Sequence, residues 1–181
     1  LTEKGFTWKK EILKSILEHC FSYEVKQANW RYYEPKTLHD SSLSMATHSI
    51  LASDLGEPEL AYRLFGLAAG IDLGRNMKSS DQGIHTASIG GIWKCVVFGF
   101  GGVRAPGGQL RIRPRLPEAW NSLSFPLYWQ GDLLKIDITH DAVQVAKLTD
   151  LNASLRLSID GQNYSLESKE YITVSLNTGK K

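Results

Sequence analysis

The sequence predicts a multidomain α plus β protein, helical in its first part and an antiparallel β-sandwich in its second. Two observations carry this reading. From Thr7 to about Gly102, apolar residues recur at helical spacing in stretches separated by polar or proline-containing breaks; from Gln109 onward they alternate. The boundary is placed at Gly107, giving a helical domain over residues 1–107 and a β-domain over 108–181. No internal repeat or low-complexity segment interrupts either part.

Taken in order, Thr7 to Phe21 is an amphipathic helix with Ile12, Leu13, Ile16, Leu17 and Cys20 on one face. Asn29 to Thr37 breaks that pattern, and Pro35 requires an extended or turn conformation before it. His39 to Ser44 opens the next helix, with Asp40 or Ser41 as cap and Leu43, Ala46, Thr47, Ile50 and Leu51 as its inner face. Gly56 ends it, and Pro58 sits in the first turn of a third helix running to about Leu73, with Leu60, Ala61, Leu64, Phe65, Ala68 and Ile71 inward. After a polar loop, Thr86 caps a fourth helix whose apolar face is Ile89, Ile92, Trp93, Val96 and Val97, and Gly99–Gly102 stops it. Consecutive helices of this kind suit a helical array or barrel.

The β-domain reads as strands at 109–113, 133–139, 143–146, 155–159, 164–166 and 171–176. Turn signals at Gln130-Gly131-Asp132, His140-Asp141 and Asp160-Gly161 separate them, as in a sandwich.

Composition bounds the function. The 181 residues are 42% hydrophobic and 22% charged, an ordinary globular balance. A formal net charge of +2 argues against nucleic acid and anionic membranes. No apolar run approaches the ~20 residues of a membrane span, and Glu3, Lys4, Lys9 and Lys10 make the first ten residues unlike a signal peptide. Cys20 and Cys95 lie within apolar helical patterns as buried free thiols, without metal or redox spacing. The expectation is a cytoplasmic protein with no metal and no organic cofactor. The leading Leu, in place of Met, gives the further expectation of a fragment.

Four polar clusters are candidates for chemistry. The turn Gly83 to Ser88 precedes a helix with no acid in its first turn, so its free N–H groups, with His85, Thr86 and Ser88, offer a seat for an anion such as phosphate. Asn29 to Glu34 combines aromatics with amide and carboxylate groups, as sugar sites do, and also fits an aromatic-rich helix junction. Glu34 beside Pro35 reads as an ion-paired or solvated turn residue. His39-Asp40-Ser41-Ser42 is too local to form a catalytic triad and reads as capping, with hydroxyls that can touch an anion or a sugar. Gly99–Gly102 follows a helix and precedes a strand, the reverse of a phosphate-binding loop, and is an exit from the helical domain.

These clusters occur in a recognisable series. Tyr32-Tyr33-Glu34-Pro35-Lys36-Thr37, His39-Asp40-Ser41-Ser42-Leu43-Ser44, His48 to Ala52, Gly83-Ile84-His85-Thr86, Gly90-Gly91, Val97 to Gly102, Pro117-Glu118 with Trp120, and Gly131 to Leu134 resemble, in order, the disaccharide phosphorylases of glycoside hydrolase family 65. That family includes maltose, trehalose and kojibiose phosphorylases.

The resemblance implies the last helices of an (α/α)6 barrel followed by a small antiparallel β-sandwich. It implies inverting phosphorolysis of an α-glucosidic disaccharide, giving β-glucose 1-phosphate and a second sugar, with inorganic phosphate as co-substrate. Phosphate would replace the base-activated water of an inverting hydrolase. His85, Thr86 and Ser88 would contact it, with Ser41 and Ser42 nearby. The general-acid Glu of the family lies upstream of the Tyr-Tyr-Glu-Pro motif, so no catalytic residue is expected in this chain; Glu34 does not replace it. Lys26-Gln27-Ala28 is similar to a family sugar-binding motif, but it stands in the wrong place and is followed by Asn29, so no role is carried over. The implied partners are the disaccharide, phosphate, the missing N-terminal part of the enzyme and, when complete, a second copy in a homodimer. The chain alone is expected to be inactive. A family 65 hydrolase of trehalase or kojibiose hydrolase type, and a non-catalytic carbohydrate-binding or structural piece, remain the rival readings; intact Ser41-Ser42 and His85-Thr86 favour the phosphorylase.

Overall fold

The computed structural model describes residues 22–39, 41–73, 83–168 and 170–176. The helix read at Thr7–Phe21, Cys20, the cap candidate Asp40 and most of the polar loop from Gly74 lie outside the described residues. The chain divides into two compact units, Leu1–Asp40 and Ser41–Lys181.

In the first unit, α1 (Tyr23–Tyr33) corrects the reading of Asn29–Tyr33 as a break. Ser22 caps it, accepting from the Val25 N–H at 3.4 Å. Pro35 does not end this structure abruptly, because it enters a 3₁₀ turn (Glu34–Lys36) at a position where its missing N–H costs nothing. Glu34 Oε1 lies 3.2 Å from His39 Nε2, in line with an ion-paired turn residue. Tyr32 and Tyr33 are exposed, and Lys36 Nζ sits over the Tyr32 ring, 3.2 Å from its centroid.

The second unit begins with three helices: α2 (Ser44–Leu55), α3 (Pro58–Ala69) and α4 (Thr86–Lys94), the last continuing as a π-helical segment, Cys95–Phe100. Gly56 ends α2 in the left-handed region (φ 80°) and Pro58 opens α3, as the sequence indicates. The inner face of α3 is as read, with Ala61, Leu64 and Ala68 buried, whereas those of α2 and α4 differ in part. On α2 the buried residues are Ala46, Ser49, Ala52, Ser53 and Leu55, while Leu43 and Thr47 are exposed. On α4 the buried residue is Ser88, and Ile89 and Trp93 are exposed. The physical reason is close approach. A Cβ on Gly91 would fall 2.8 Å from Ala46 Cβ, so at that point the helices meet through small residues, with Met45, Ile50, Phe65 and Ile92 packed around the contact.

Four contacts fix the helix directions. Ala46 faces Gly91 and its carbonyl accepts from Cys95 Sγ at 3.2 Å, while Ser53 Oγ donates to the Gly99 carbonyl at 3.0 Å further along. α2 and α4 are therefore parallel. Ser49 Oγ donates to the Ala61 carbonyl at 2.8 Å across the Gly56 turn, so α3 runs antiparallel to α2. The i→i−5 bond from Gly101 N–H to the Val96 carbonyl (2.8 Å) closes the π segment, so the helix stops at Gly101–Gly102, two residues later than the start of the glycine run.

The β part is a sandwich of two four-stranded sheets, ordered β1-β2-β6-β7 and β3-β4-β5-β8. The strands are β1 (Val103–Arg104), β2 (Leu110–Ile112), β3 (Ser122–Trp129), β4 (Asp132–Thr139), β5 (Ala142–Lys147), β6 (Leu155–Ile159), β7 (Gln162–Leu166) and β8 (Tyr171–Ser175). All neighbours are antiparallel except β2 and β6, which pair in parallel. Leu110, Ile112, Leu134, Ile136, Ile138, Val143, Val145, Leu157 and Ile159 form the dry interior. Gln130-Gly131 (φ 50° and 92°) and Asp160-Gly161 (φ 46° and 86°) make the two-residue turns with positive φ that suit the strand twist. Strand β3 escapes the sequence pattern because Pro126 interrupts it; as an edge strand it tolerates the lost donor.

Two features bind the helices to the sandwich within this unit. Asp54 takes both oxygens to Arg104 (2.8 and 2.9 Å) and one to Arg115 (3.2 Å). Phe65, Phe100 and Trp120 pack edge to face, with centroids 5.1–5.5 Å apart.

Gly102 (φ 64°) has no room for a side chain, since a Cβ would lie 1.7 Å from the Arg113 carbonyl oxygen; Gly107 (φ 60°) has open space. Gly102→Ala is expected to cost at least about 3 kcal/mol through clash and strain, and Gly107→Ala about 1 kcal/mol through strain alone. Urea unfolding of the two variants checks this; equal midpoints would overturn it.

Candidate functional site

The helix directions gather one set of polar termini. Because α2 and α4 are parallel and α3 opposes both, the N-terminal ends of α2 and α4 share one end of the bundle with the C-terminal end of α3. Ala46 lies in the first turn of α2 and Gly91 in the second turn of α4, so the crossing is close to both starts. Ser41, Ser42, His85, Thr86 and Ser88 all belong to this end.

Their individual settings differ. His85, not Thr86, occupies the N-cap position of α4, one residue earlier than the sequence suggests, and its side chain makes no capping bond. Thr86 is the first helical residue and is exposed. Ser41 is exposed, and its hydroxyl accepts from the Leu43 N–H at 3.3 Å, tightening the turn into α2. Ser42 is half-buried. Ser88 is fully buried, and its hydroxyl donates to the Ala68 carbonyl at 3.5 Å, which fastens the first turn of α4 to α3.

Sequence reasoning missed Asp72, which follows α3 in the turn beyond Gly70. Its Oδ2 accepts the His85 backbone N–H at 2.8 Å and its Oδ1 lies 2.7 Å from His85 Nδ1. The acid absent from the first turn of α4 is thus supplied across space. Several of the N–H groups expected to be free have partners: His85 gives to Asp72, Thr86 to the Ile84 carbonyl, and Ser88 and Ile89 to the His85 carbonyl. No sequence spacing marks Asp72, thirteen residues before its partner.

The hydrogen bond from the His85 side chain, then that from its backbone, holds the Asp72 carboxyl below its ordinary value of 3.8, against the opposing effect of burial. Cys95 is a buried thiol as expected; burial pushes it up from its ordinary value, which suits a packing role.

A cleft of about 630 Å³ lies at the other end of α2, lined by Ile50, Asp54, Phe98, Arg104, Tyr128 and Trp129 among others. It contains none of the candidate residues. Among the described residues no helix is long and apolar enough to cross a membrane.

Comparison with known proteins gives a consistent result. Residues 9–94 match the model of the glycosyl hydrolase family 65 central catalytic domain, and residues 103–166 match that of the family 65 C-terminal domain. A kojibiose phosphorylase of Halothermothrix orenii is 46% identical over 164 residues, covering 89% of this chain and 21% of that protein. The α,α-trehalose phosphorylase of Thermoanaerobacter brockii is 42% identical over 137 residues, covering 76% and 18% respectively. The solved structure of a human-microbiome protein assigned as a kojibiose phosphorylase superposes with a TM-score of 0.78 at 34% identity, covering 90% of this chain and 24% of that one. The chain spans about a fifth of the length of the curated relatives it matches.

The Asp72–His85 contact carries a sign that can be tested. A carboxylate whose folded-state pKa lies below the unfolded value adds stability that is present above that unfolded value and is lost as pH falls through the folded one. The wild-type chain is therefore expected to melt above Asp72→Asn at pH 5, with the difference closing as pH falls below 3.8. Thermal melts between pH 5 and pH 2.5 check this; a difference that stays constant across that range would count against it.

Proposed function

The chain belongs to glycosyl hydrolase family 65, and from that premise we propose that it supplies the phosphate-holding end of an inverting disaccharide phosphorylase. One observation carries the reading: His85, Thr86, Ser41 and Ser42 stand at the shared end of two parallel helices, with His85 held in place by Asp72. The side chains there offer hydroxyl donors and an imidazole. The names of the relatives, kojibiose and trehalose phosphorylase, point to the same substrate class.

In the proposed reaction a phosphate oxygen attacks the anomeric carbon from the face opposite the leaving sugar. The new C–O bond to phosphate forms as the glycosidic C–O bond breaks, and the electron pair leaves with the glycosidic oxygen. A carboxylic acid outside this chain gives that oxygen its proton. Configuration inverts, so an α-glucoside yields β-glucose 1-phosphate. His85 Nε2, the Thr86 hydroxyl and the Ser41 and Ser42 hydroxyls orient the phosphate oxygens; Ser88 supports them from beneath. Orienting the nucleophile is where such a site contributes most.

His85→Ala in the full-length enzyme should raise the KM for phosphate roughly 10- to 100-fold, the loss of one hydrogen bond to a charged group. Initial rates on kojibiose, trehalose and maltose, with phosphate varied and the sugar phosphate identified by NMR, measure it. Release of free glucose at full rate without phosphate would sink the phosphorylase reading in favour of a hydrolase.

A further inference from the structure

We propose that Asp72 is a positioning residue for the phosphate site: it fixes the His85 ring so that Nε2 alone is presented to the anion. The inference rests on the reading of His85 as a phosphate contact. An ionised carboxylate only accepts hydrogen bonds, so a 2.7 Å approach of Oδ1 to Nδ1 requires the proton on Nδ1. The neutral ring is therefore held in the Nδ1–H tautomer, so Nε2 meets the phosphate either as a lone pair accepting from a P–OH group or, in the imidazolium, as an N–H donating to a phosphate oxygen.

The backbone contact completes the clamp. Oδ2 takes the N–H of the same residue at 2.8 Å, so main chain and ring of His85 are held by the two oxygens of one carboxylate. Such a two-point hold removes the rotation about the Cα–Cβ and Cβ–Cγ bonds that would swing Nε2 away. Exposure separates the roles: the side chain of Asp72 keeps 14% of its surface and that of His85 keeps 31%. Asp72 is the shielded partner and His85 the presented one.

Charge is consistent with this division. A bare carboxylate beside a phosphate would repel it. Here both oxygens of Asp72 are occupied by donors, one of them at the positive end of α4. An Asn in its place keeps the shape. Its amide can accept from only one of the two donors and turns an N–H₂ group toward the other.

The test uses the full-length enzyme with Asp72→Asn, His85→Ala and the double variant. For Asp72→Asn the phosphate KM is expected to rise about tenfold, while the disaccharide KM stays within twofold. The double variant is expected to be no worse than His85→Ala alone, because both act through one ring. Imidazole ¹⁵N NMR of the wild-type enzyme, which needs no variant to fold, should show His85 protonated at Nδ1. A phosphate KM unchanged in Asp72→Asn but raised in His85→Ala would overturn the positioning role and leave the phosphate site standing. So would additive effects in the double variant, or a neutral ring protonated at Nε2. An unchanged phosphate KM in His85→Ala would instead remove the phosphate reading itself.

Discussion

The meeting of Gly91 with Ala46 is the constraint on which the helical part depends. Two helices whose Cβ positions would come within 2.8 Å cannot carry large residues there. They bury hydroxyls instead, and a buried hydroxyl without a partner costs several kcal/mol. Ser49, Ser53 and Ser88 meet that requirement by donating to carbonyls of neighbouring helical segments at 2.8, 3.0 and 3.5 Å. Small size and polar pairing thus act together. Once α2 and α4 are pressed into parallel contact, their N-terminal ends have to lie side by side, and the turn after α3 has to arrive between them.

The opposite end of the same helices does different work. Asp54 sits near the C-terminus of α2, where a negative charge is unfavourable, and two arginines from the β part offset it. Arg104 and Arg115 come from either side of strand β2, so one carboxylate ties the helix to two segments of the sandwich. The π turn adds a residue per bond closed and changes the phase of α4, which lets Phe100 join Phe65 and Trp120. Polar chemistry at one end and structural anchoring at the other are consequences of one set of helix directions.

Much of this is legible in the sequence, and the failures share a cause. The sandwich shows in the alternation of residues 133–139 and 143–146 and in the Gly131 and Gly161 turns, because period and turn chemistry are local properties. Gly56 and Pro58 mark the α2–α3 junction for the same reason. What was hidden depends on a partner far along the chain. Helix faces were read mainly from aliphatic residues, whereas Ser49, Ser53 and Ser88 are also buried. Strand β3 is defined by pairing with β4, although Pro126 spoils its own pattern. Helix α1 is too polar to display an apolar stripe. Asp72 carries no local signal, since its role exists only where the turn after α3 meets the start of α4.

The last of these changes the physical account of the site. From the sequence, the positive end of α4 was a set of backbone donors open to a dissolved anion. In the structure that end already holds an anion, the carboxylate of Asp72, and the His85, Thr86 and Ser88 N–H groups are engaged. The helix field is therefore spent on a side chain of the protein itself. That side chain in turn grips an imidazole, and the imidazole keeps the exposed position. A rigid backbone seat binds any anion of suitable size, with little regard to its direction. A ring fixed by a two-oxygen clamp meets its ligand along one line, from one atom. On the proposed reading, in which phosphate approaches an anomeric carbon from a single face, direction matters more than the strength of attraction, and the clamp would exchange some of the second for the first.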